Sequence, residues 1–488
     1  MLREFGPSEM AAADENAPLS APSPLPWIGV RPGHPYFFTD RGDSWTPIGH
    51  NDAITWPELA GLFKRRDVEG VERHLRGLKA SGVTCLRLML EYCQAEHRYI
   101  ERPVGTFQPN MIRLWDDLFA LCERVGMYIL LTPFDTFFTW IRWKQHPYNR
   151  ANGGPCASPR ELLTCPATIA AIKARLEFAT RRWGGSPALF AWDIWNEMHP
   201  AHAGDSVEPL GRFIDEVAPW LKALEQRLHG RRHPVTVSVF GPELAASPAL
   251  KEPIFRHPEL DFANIHLYER GTIDKPRNTV APALATGRLM ASALAEIRDQ
   301  RPLFDSEHGP IHAFMDKKIV LPEAFDDEYF RHIQWAHLAS GGAGGGMRWP
   351  NRHPHVLTPG MRRAQAALSR FLPLIDWTSF DRRCWNDALE LSAKGFAAFG
   401  CGDESQAVLW LLRTDATGRD GRIKPEAKPR TIMISCPAAR DGPCRLRFFD
   451  TKAGAVTGET AVQASSGRLV IPVKRVASDI AIAVSFAG

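Results

Sequence analysis

The stretch "FAWDIWNEMHP", residues 190–200, decides how the chain is read. Phe190 to Trp195 form an apolar run broken only by Asp193, and the run then turns polar at Asn196–Glu197. Burying a carboxylate is costly unless it is paired or its pKa shifts. Glu197, at the end of such a run, is therefore either neutralised by a structural partner, such as an arginine, or placed there for proton chemistry.

Working outward, the same pattern recurs from about residue 35 to 375: short, continuously apolar runs alternate with longer amphipathic ones. "SGVTCLRLML" (81–90) follows "DVEGVERHLRGLKA", which puts Val68, Val71, Leu75 and Leu78 on one helical face with Asp67 as an N-cap. "GMYILLTPFD", "ALFAWDIWNE", "HPVTVSVFG", "LDFANIHLY", "RPLFDSEHG" and "AGGGMRWP" continue the series, and "DSWTPIGHN" (43–51) starts it. That makes eight strand–helix units, with strands apolar on both faces as expected when helices cover a parallel sheet. The count predicts a (β/α)₈ TIM barrel over residues 35–380. An open doubly wound sheet is the competing reading. After residue 376, short strand-like segments separated by Gly, Asp and Pro turns predict a C-terminal antiparallel β-sandwich over 381–488. Residues 415–430 read as a long charged surface loop, and Trp410 as a packing residue of the sandwich.

The totals exclude several classes. Apolar residues make up 44% and charged residues 23%, a globular composition. With 59 basic against 55 acidic residues, the net charge of +4 is too balanced to suggest nucleic acid or an anionic membrane as a partner. Nine cysteines show no zinc-like spacing and no disulfide framework. Cys85 and Cys122 read as inert core residues, while Cys156/Cys165 and Cys436/Cys444 could pair. Residues 1–34 are Pro/Ala/Ser-rich with no apolar leader, and predict a disordered N-terminal arm. No run approaches membrane-spanning length. The chain reads as cytoplasmic, or secreted if a leader has been removed.

In a barrel of this kind, polar residues at the carboxyl ends of the strands converge on one mouth. Those residues are Arg87 and Glu91, Asp135, Asn196 and Glu197, Glu243, His266 and Tyr268, Asp305 to His308, and Arg348, Trp349 and Asn351. Two glutamates, Glu197 and Glu307, then face each other. Two carboxylates across a cleft, one protonated and one ionised, suit cleavage of a glycosidic bond. Trp349 offers a flat face for a sugar ring. Structural alternatives accompany each residue: a salt bridge for Glu197 or Glu307, a core counter-ion for Arg87, a satisfied core imidazole for His266, and packing for Tyr268 and Trp349. His353 and His355, with Pro354 between them, read as a solvated loop and His199 and His202 as rim residues. The "GGAGGG" run (341–346) lacks a phosphate-loop lysine and reads as close helix–strand packing.

"WDIWNE", "HLY", "FDSEHG" and "RW" at the ends of the fourth, sixth, seventh and eighth strands resemble clan A glycoside hydrolases, and within the clan family 5 cellulases and β-mannanases. The resemblance implies a retaining glycosidase acting on a β-linked mannan- or glucan-like carbohydrate without metal or cofactor. It implies Glu197 as acid/base, Glu307 as nucleophile and Asn196 as reader of the sugar 2-hydroxyl. Arg87 and Tyr268 would hold the nucleophile ionised, with His266 lining the site and Trp349 under the ring. Asp135 stands where many relatives carry a histidine and is assigned to substrate binding. The loop 142–159 is long enough to close one end of a cleft, which favours chain-end cleavage. A transglycosylase would use the same residues, and a non-catalytic carbohydrate-binding barrel is a further alternative. A retaining pair requires carboxyl groups about 5–5.5 Å apart.

Overall fold

The computed structural model describes residues 25–93, 98–311, 320–350 and 357–486. Gly49–Asp52, Cys85–Met89, Tyr128–Thr132, Leu189–Asp193 and Val235–Thr236 form a parallel five-stranded sheet in chain order. Ser238–Phe240, Ala263–Leu267 and Leu303–His308 form a parallel three-stranded sheet. Every residue of the second to fourth strands is buried, which explains their unbroken apolar reading. The helices between them begin and end on local signals. Asp67 accepts a hydrogen bond from Gly70 N–H at 2.8 Å to cap Val68–Ala80. Pro109 opens Pro109–Val125, which ends on Gly126 at φ 79°.

Two places join the parallel strands. Val235–Thr236 and Ser238–Phe240 are consecutive and separated only by Val237, and the Ser238 carbonyl accepts from Met198 N–H at 3.1 Å. At the other end, the segment expected as the eighth strand forms only bridges: Arg348 pairs in parallel with both His50 and His308. Asn51 N–H donates to the Arg348 carbonyl at 2.9 Å, and Trp349 N–H to the His308 carbonyl at 2.7 Å. Glycine is required just before this segment. Gly344 has φ +111°, and a Cβ there would lie 2.4 Å from the Pro47 carbonyl oxygen.

Three expectations are corrected. The first parallel strand is Gly49–Asp52, because Pro47 splits the "DSWTPIGHN" run; Ser44–Trp45 instead joins Phe37–Thr39 and Ile28–Val30 in an antiparallel sheet. Residues 25–34 are therefore not a disordered arm. Ile28 is buried, and Phe37 and Trp45 of this sheet meet Phe190 near the amino ends of the parallel strands, with ring centroids 4.9 and 4.6 Å apart. Finally, the charged loop 415–430 is docked: Ile423 is buried, and its N–H donates to Glu328 at 2.8 Å. Residues 1–24 of the expected arm lie outside the described residues. No helix among the described residues is long and apolar enough to cross a membrane.

The C-terminal part is a six-stranded antiparallel sheet facing a three-stranded one. Strand Gln406–Arg413 serves both of its faces. Leu409 and Leu411 pack toward Ile432, Ile434, Ile471 and Val473 of the smaller sheet. Val408, Trp410 and Leu412 join the core shared with the parallel-strand part. Trp410 is fully buried beside Phe399 and His332, and its indole N–H donates to Asp479 at 3.2 Å. Burial alone would raise the Asp479 pKa, but Arg331 at 3.0 Å and His332 hold it well below the ordinary value. Its stabilisation is thus present at neutral pH and lost only as pH falls through that depressed value. Asp479→Ala should cost about 3 kcal/mol at neutral pH by removing the nearer acidic partner of Arg331 and leaving only Glu328, at 3.8 Å, read by urea unfolding; a loss below about 1 kcal/mol would contradict this packing account.

Candidate active site

The site is built where the Leu189–Asp193 strand runs out. Asn196 N–H donates to the Phe134 carbonyl at 2.9 Å, and Asn196 bridges in parallel with Asp135, so pairing with the neighbouring strand resumes three residues past Asp193. Glu197 then takes a positive φ of 49°, a conformation uncommon for a residue with a Cβ. Its N–H is held by the Ser238 hydroxyl at 3.0 Å. This left-handed residue breaks the strand where the carboxylate is presented, and strain of this kind often marks functional sites.

Arg87 is the centre of the arrangement. It is buried, and its guanidinium donates to Asn51 Oδ1 at 2.9 Å, Glu307 Oε2 at 3.0 Å, Asp193 Oδ2 at 2.8 Å and Asn196 Oδ1. Because Arg87 can only donate, Asn196 must turn its oxygen toward it. The Asn196 amide nitrogen therefore faces Asp135 Oδ2, at 2.5 Å.

Glu307 has a partner on each oxygen: Arg87 on Oε2, and the Tyr268 hydroxyl donating to Oε1 at 2.8 Å. His266 is buried between the two glutamates. Its Nδ1 is 2.7 Å from Glu197 Oε1 and 3.9 Å from Glu307 Oε2, and its Nε2 meets the Ser306 hydroxyl at 3.1 Å. One ligand atom each of Glu197, His266 and Glu307 lies within 4.8 Å of the others. At least one carboxylate oxygen of each acid therefore lies within 4.8 Å of the other acid. Among the described residues this is the only set of three such donors close enough to share a cation. Glu307 accepts from Arg87 and Tyr268, and His266 meets Glu197 and Ser306.

The two acids differ in environment. Burial pushes the Glu197 pKa up to about 7, with Arg87 opposing and Asp193 adding. Burial also raises Glu307, and Glu197 adds to this, but His266, Arg87 and the Tyr268 hydrogen bond pull it back. Burial lowers His266 to about 4, so its imidazole is neutral near pH 7.

The remaining strand-end residues divide. Asp135 does not present a free carboxylate: Oδ1 caps helix Thr136–Arg142 through Phe138 N–H, and Oδ2 holds Asn196. Burial raises its pKa, although the two N–H donors oppose that rise. Trp349 is half-buried, edge-on to Trp56 with ring centroids 5.3 Å apart. Glu91 is a structural partner of the buried Arg175, at 3.0 Å. Arg348 pairs with Asp326 at 2.7 Å, and His308 with Asp305 at 2.8 Å. Glu243 lies 3.6 Å from His199 on the rim. His202, expected on the rim, is buried with Nδ1 2.9 Å from the Pro159 carbonyl. Asn351, His353 and His355 lie outside the described residues. All nine cysteines are free thiols. Sequence reasoning assigned no role to Asn51 or Asp193, although Asp193 sits inside the opening motif and is the one polar interruption of its apolar run.

No protein-family profile matches the sequence, and no curated protein does. Solved structures do. One described as a glycoside hydrolase has a TM-score of 0.58 at 12% identity, over 95% of this chain and 98% of its own. A glycoside hydrolase family 5 protein from Bacteroides vulgatus ATCC 8482 has a TM-score of 0.60 at 12% identity, over 95% of both chains. The fold is that of glycoside hydrolase family 5 structures. The likeness implied by the strand-end motifs is therefore present in the architecture, and it spans both the parallel-stranded part and the C-terminal sheets.

Difference infrared titration of the protein against Glu197→Gln should show a carboxyl midpoint near the value of about 7 that burial imposes. A midpoint at the ordinary 4.5 would contradict this reading of the site.

Proposed function

We propose that this chain is a retaining β-glycoside hydrolase acting on a β-linked oligo- or polysaccharide of mannan or glucan type. The observation that carries the proposal is the approach of Glu197 and Glu307, with donor atoms within 4.8 Å of each other and of His266. Support for a closed (β/α)₈ barrel comes from the Arg348 bridges to His50 and His308 and from the near-continuity of 235–240. The catalytic unit is taken as residues 35–380 with the docked strand Ile28–Val30, and residues 381–488 as an accessory β-sandwich.

In the proposed mechanism Glu307, favoured as an anion by Arg87 and Tyr268, attacks the anomeric carbon while Glu197 protonates the leaving oxygen. The bond from the anomeric carbon to the leaving oxygen breaks as the bond to Glu307 forms. Glu197, now a carboxylate, takes a proton from water, and that water displaces Glu307 with a second inversion, giving net retention. Asn196 has its oxygen engaged by Arg87 and retains a second amide N–H for the sugar 2-hydroxyl. Trp349 stacks under the ring. Asp135 acts through Asn196 rather than on the sugar. Tyr268 donates to Glu307 and, with a pKa well above the ordinary phenol value, stays protonated.

Proton NMR of the first product anomer, from whichever aryl β-glycoside or β-linked glycan is cleaved in a substrate screen, should show retention; inversion would overturn the mechanism. Glu307→Gln should abolish turnover, and Glu197→Gln should lower kcat/KM about 10²–10⁴-fold on substrates with poor leaving groups. Full activity in either variant would overturn the assignment. Activity needs Glu197 protonated and Glu307 ionised, so kcat/KM should be bell-shaped in pH. It should fall as pH rises through about 7 and also fall below an acidic limb lying above 4.5. A profile flat from pH 5 to 9 would contradict the two roles.

A further inference from the structure

Helix Thr136–Arg142 buries Thr136, Phe138 and Thr139 but turns its other large apolar side chains outward. Phe137, Trp140 and Ile141 are 45%, 42% and 44% exposed, at the i, i+3, i+4 spacing that places them on one face. The other large apolar side chains exposed among the described residues, Leu284, Val320, Val456 and Val470, are scattered aliphatics. Apolar exposure concentrated on one short helix marks a binding surface more often than chance exposure does.

The helix is tied to the catalytic pair. Its N-cap is Asp135, whose other oxygen holds the Asn196 amide next to Glu197. Trp140 stacks on His202, with ring centroids 5.0 Å apart at 25°, and meets His199 edge-on at 5.0 Å. His199 lies two residues beyond Glu197, and its Nε2 is 3.6 Å from Glu243. One side of the indole is thus fixed against imidazoles while much of the ring stays open, with polar groups beside it. A pyranose has the matching chemistry: a C–H face for an aromatic ring and hydroxyls for flanking polar groups.

We propose that Phe137, Trp140 and Ile141, with Trp140 as the anchor, form a subsite for the saccharide leaving group. The inference rests on the reading of Glu197 as the general acid, because the acid stands on the leaving-group side of the bond being cleaved. It goes beyond that reading by assigning side chains to the leaving-group side of the cleaved bond. The enzyme acts on chains whose leaving portion is itself a sugar, and binding energy from that remote unit assists cleavage.

The first test compares two substrates. A β-linked hexasaccharide (mannohexaose or cellohexaose) reaches the shelf, whereas the β-glycosyl fluoride of the same sugar has a leaving group too small to touch it. Trp140→Ala should lower the ratio of kcat/KM for hexasaccharide over fluoride about tenfold, the order expected for loss of one aromatic stacking contact. Trp140→Phe should restore most of the ratio, and Val470→Ala on the sandwich should leave it unchanged. A ratio within about twofold of wild type in Trp140→Ala would overturn the subsite, as would a change in oligomeric state on gel filtration without a change in ratio.

The second test does not need turnover. Calorimetric titration of Glu307→Gln with the hexasaccharides should give about tenfold tighter binding than the same titration of Glu307→Gln/Trp140→Ala. Equal affinities, or no binding by either protein, would reject the shelf. Failure to cleave any β-glycoside, with the affinity difference preserved, would instead reject the catalytic reading and leave the shelf as a carbohydrate site.

Discussion

One buried guanidinium holds the site together. Arg87 reaches the strands Gly49–Asp52, Cys85–Met89, Leu189–Asp193 and Leu303–His308 at once through Asn51, its own backbone, Asp193 and Glu307, and meets Asn196 beyond the third of these. A charge so placed is tolerable because its two terminal nitrogens meet four side-chain acceptors. The planar fork of arginine matches this set, which the point charge of a lysine could not span. The consequences run outward from it. Arg87 fixes the orientation of the Asn196 amide, favours the ionised form of Glu307, and counters part of the burial that keeps Glu197 protonated.

The two glutamates illustrate how one fold can separate two similar acids. Glu307 has a donor on each oxygen, and these donors, with His266, offset part of the cost of its burial. Glu197 has a neutral imidazole, a left-handed backbone and a neighbouring Asp193, so burial dominates its pKa. Environment rather than residue type separates the two acids, which is what the proposed acid/base mechanism asks of a pair of carboxyls. The antiparallel sheets contribute indirectly: one face of the larger sheet completes the core of the parallel-strand part, so the two halves share their packing.

Much of this was legible in the sequence, because parallel strands buried on both faces write themselves as apolar runs and their carboxyl ends stand out as polar breaks. "WDIWNE" and "FDSEHG" pointed to Glu197 and Glu307, and the helical spacing of Val71, Leu75 and Leu78 matched a buried face. What remained hidden depended on contacts distant in sequence. Ile28–Val30 are too few residues, among too many prolines, to signal a strand, and they are ordered only by pairing with Phe37–Thr39. Asp135 read as a ligand because nothing local reveals that both of its oxygens are taken by Phe138 and Asn196. The charged loop 415–430 read as solvated because its anchors lie far off in sequence: Ile423 meets Glu328, and the Gly421 carbonyl meets Thr279 N–H.

The central claim is that Glu307 becomes covalently bound to the sugar while Arg87 and Tyr268 steady its carboxylate. The most direct measurement is to trap that species with a 2-deoxy-2-fluoro-β-glycosyl fluoride of the accepted sugar and to locate the adduct by peptide mass spectrometry. The account requires a single glycosyl adduct on Glu307, with turnover lost in proportion to labelling. An adduct on any other residue, or continued turnover with no adduct formed, would contradict it.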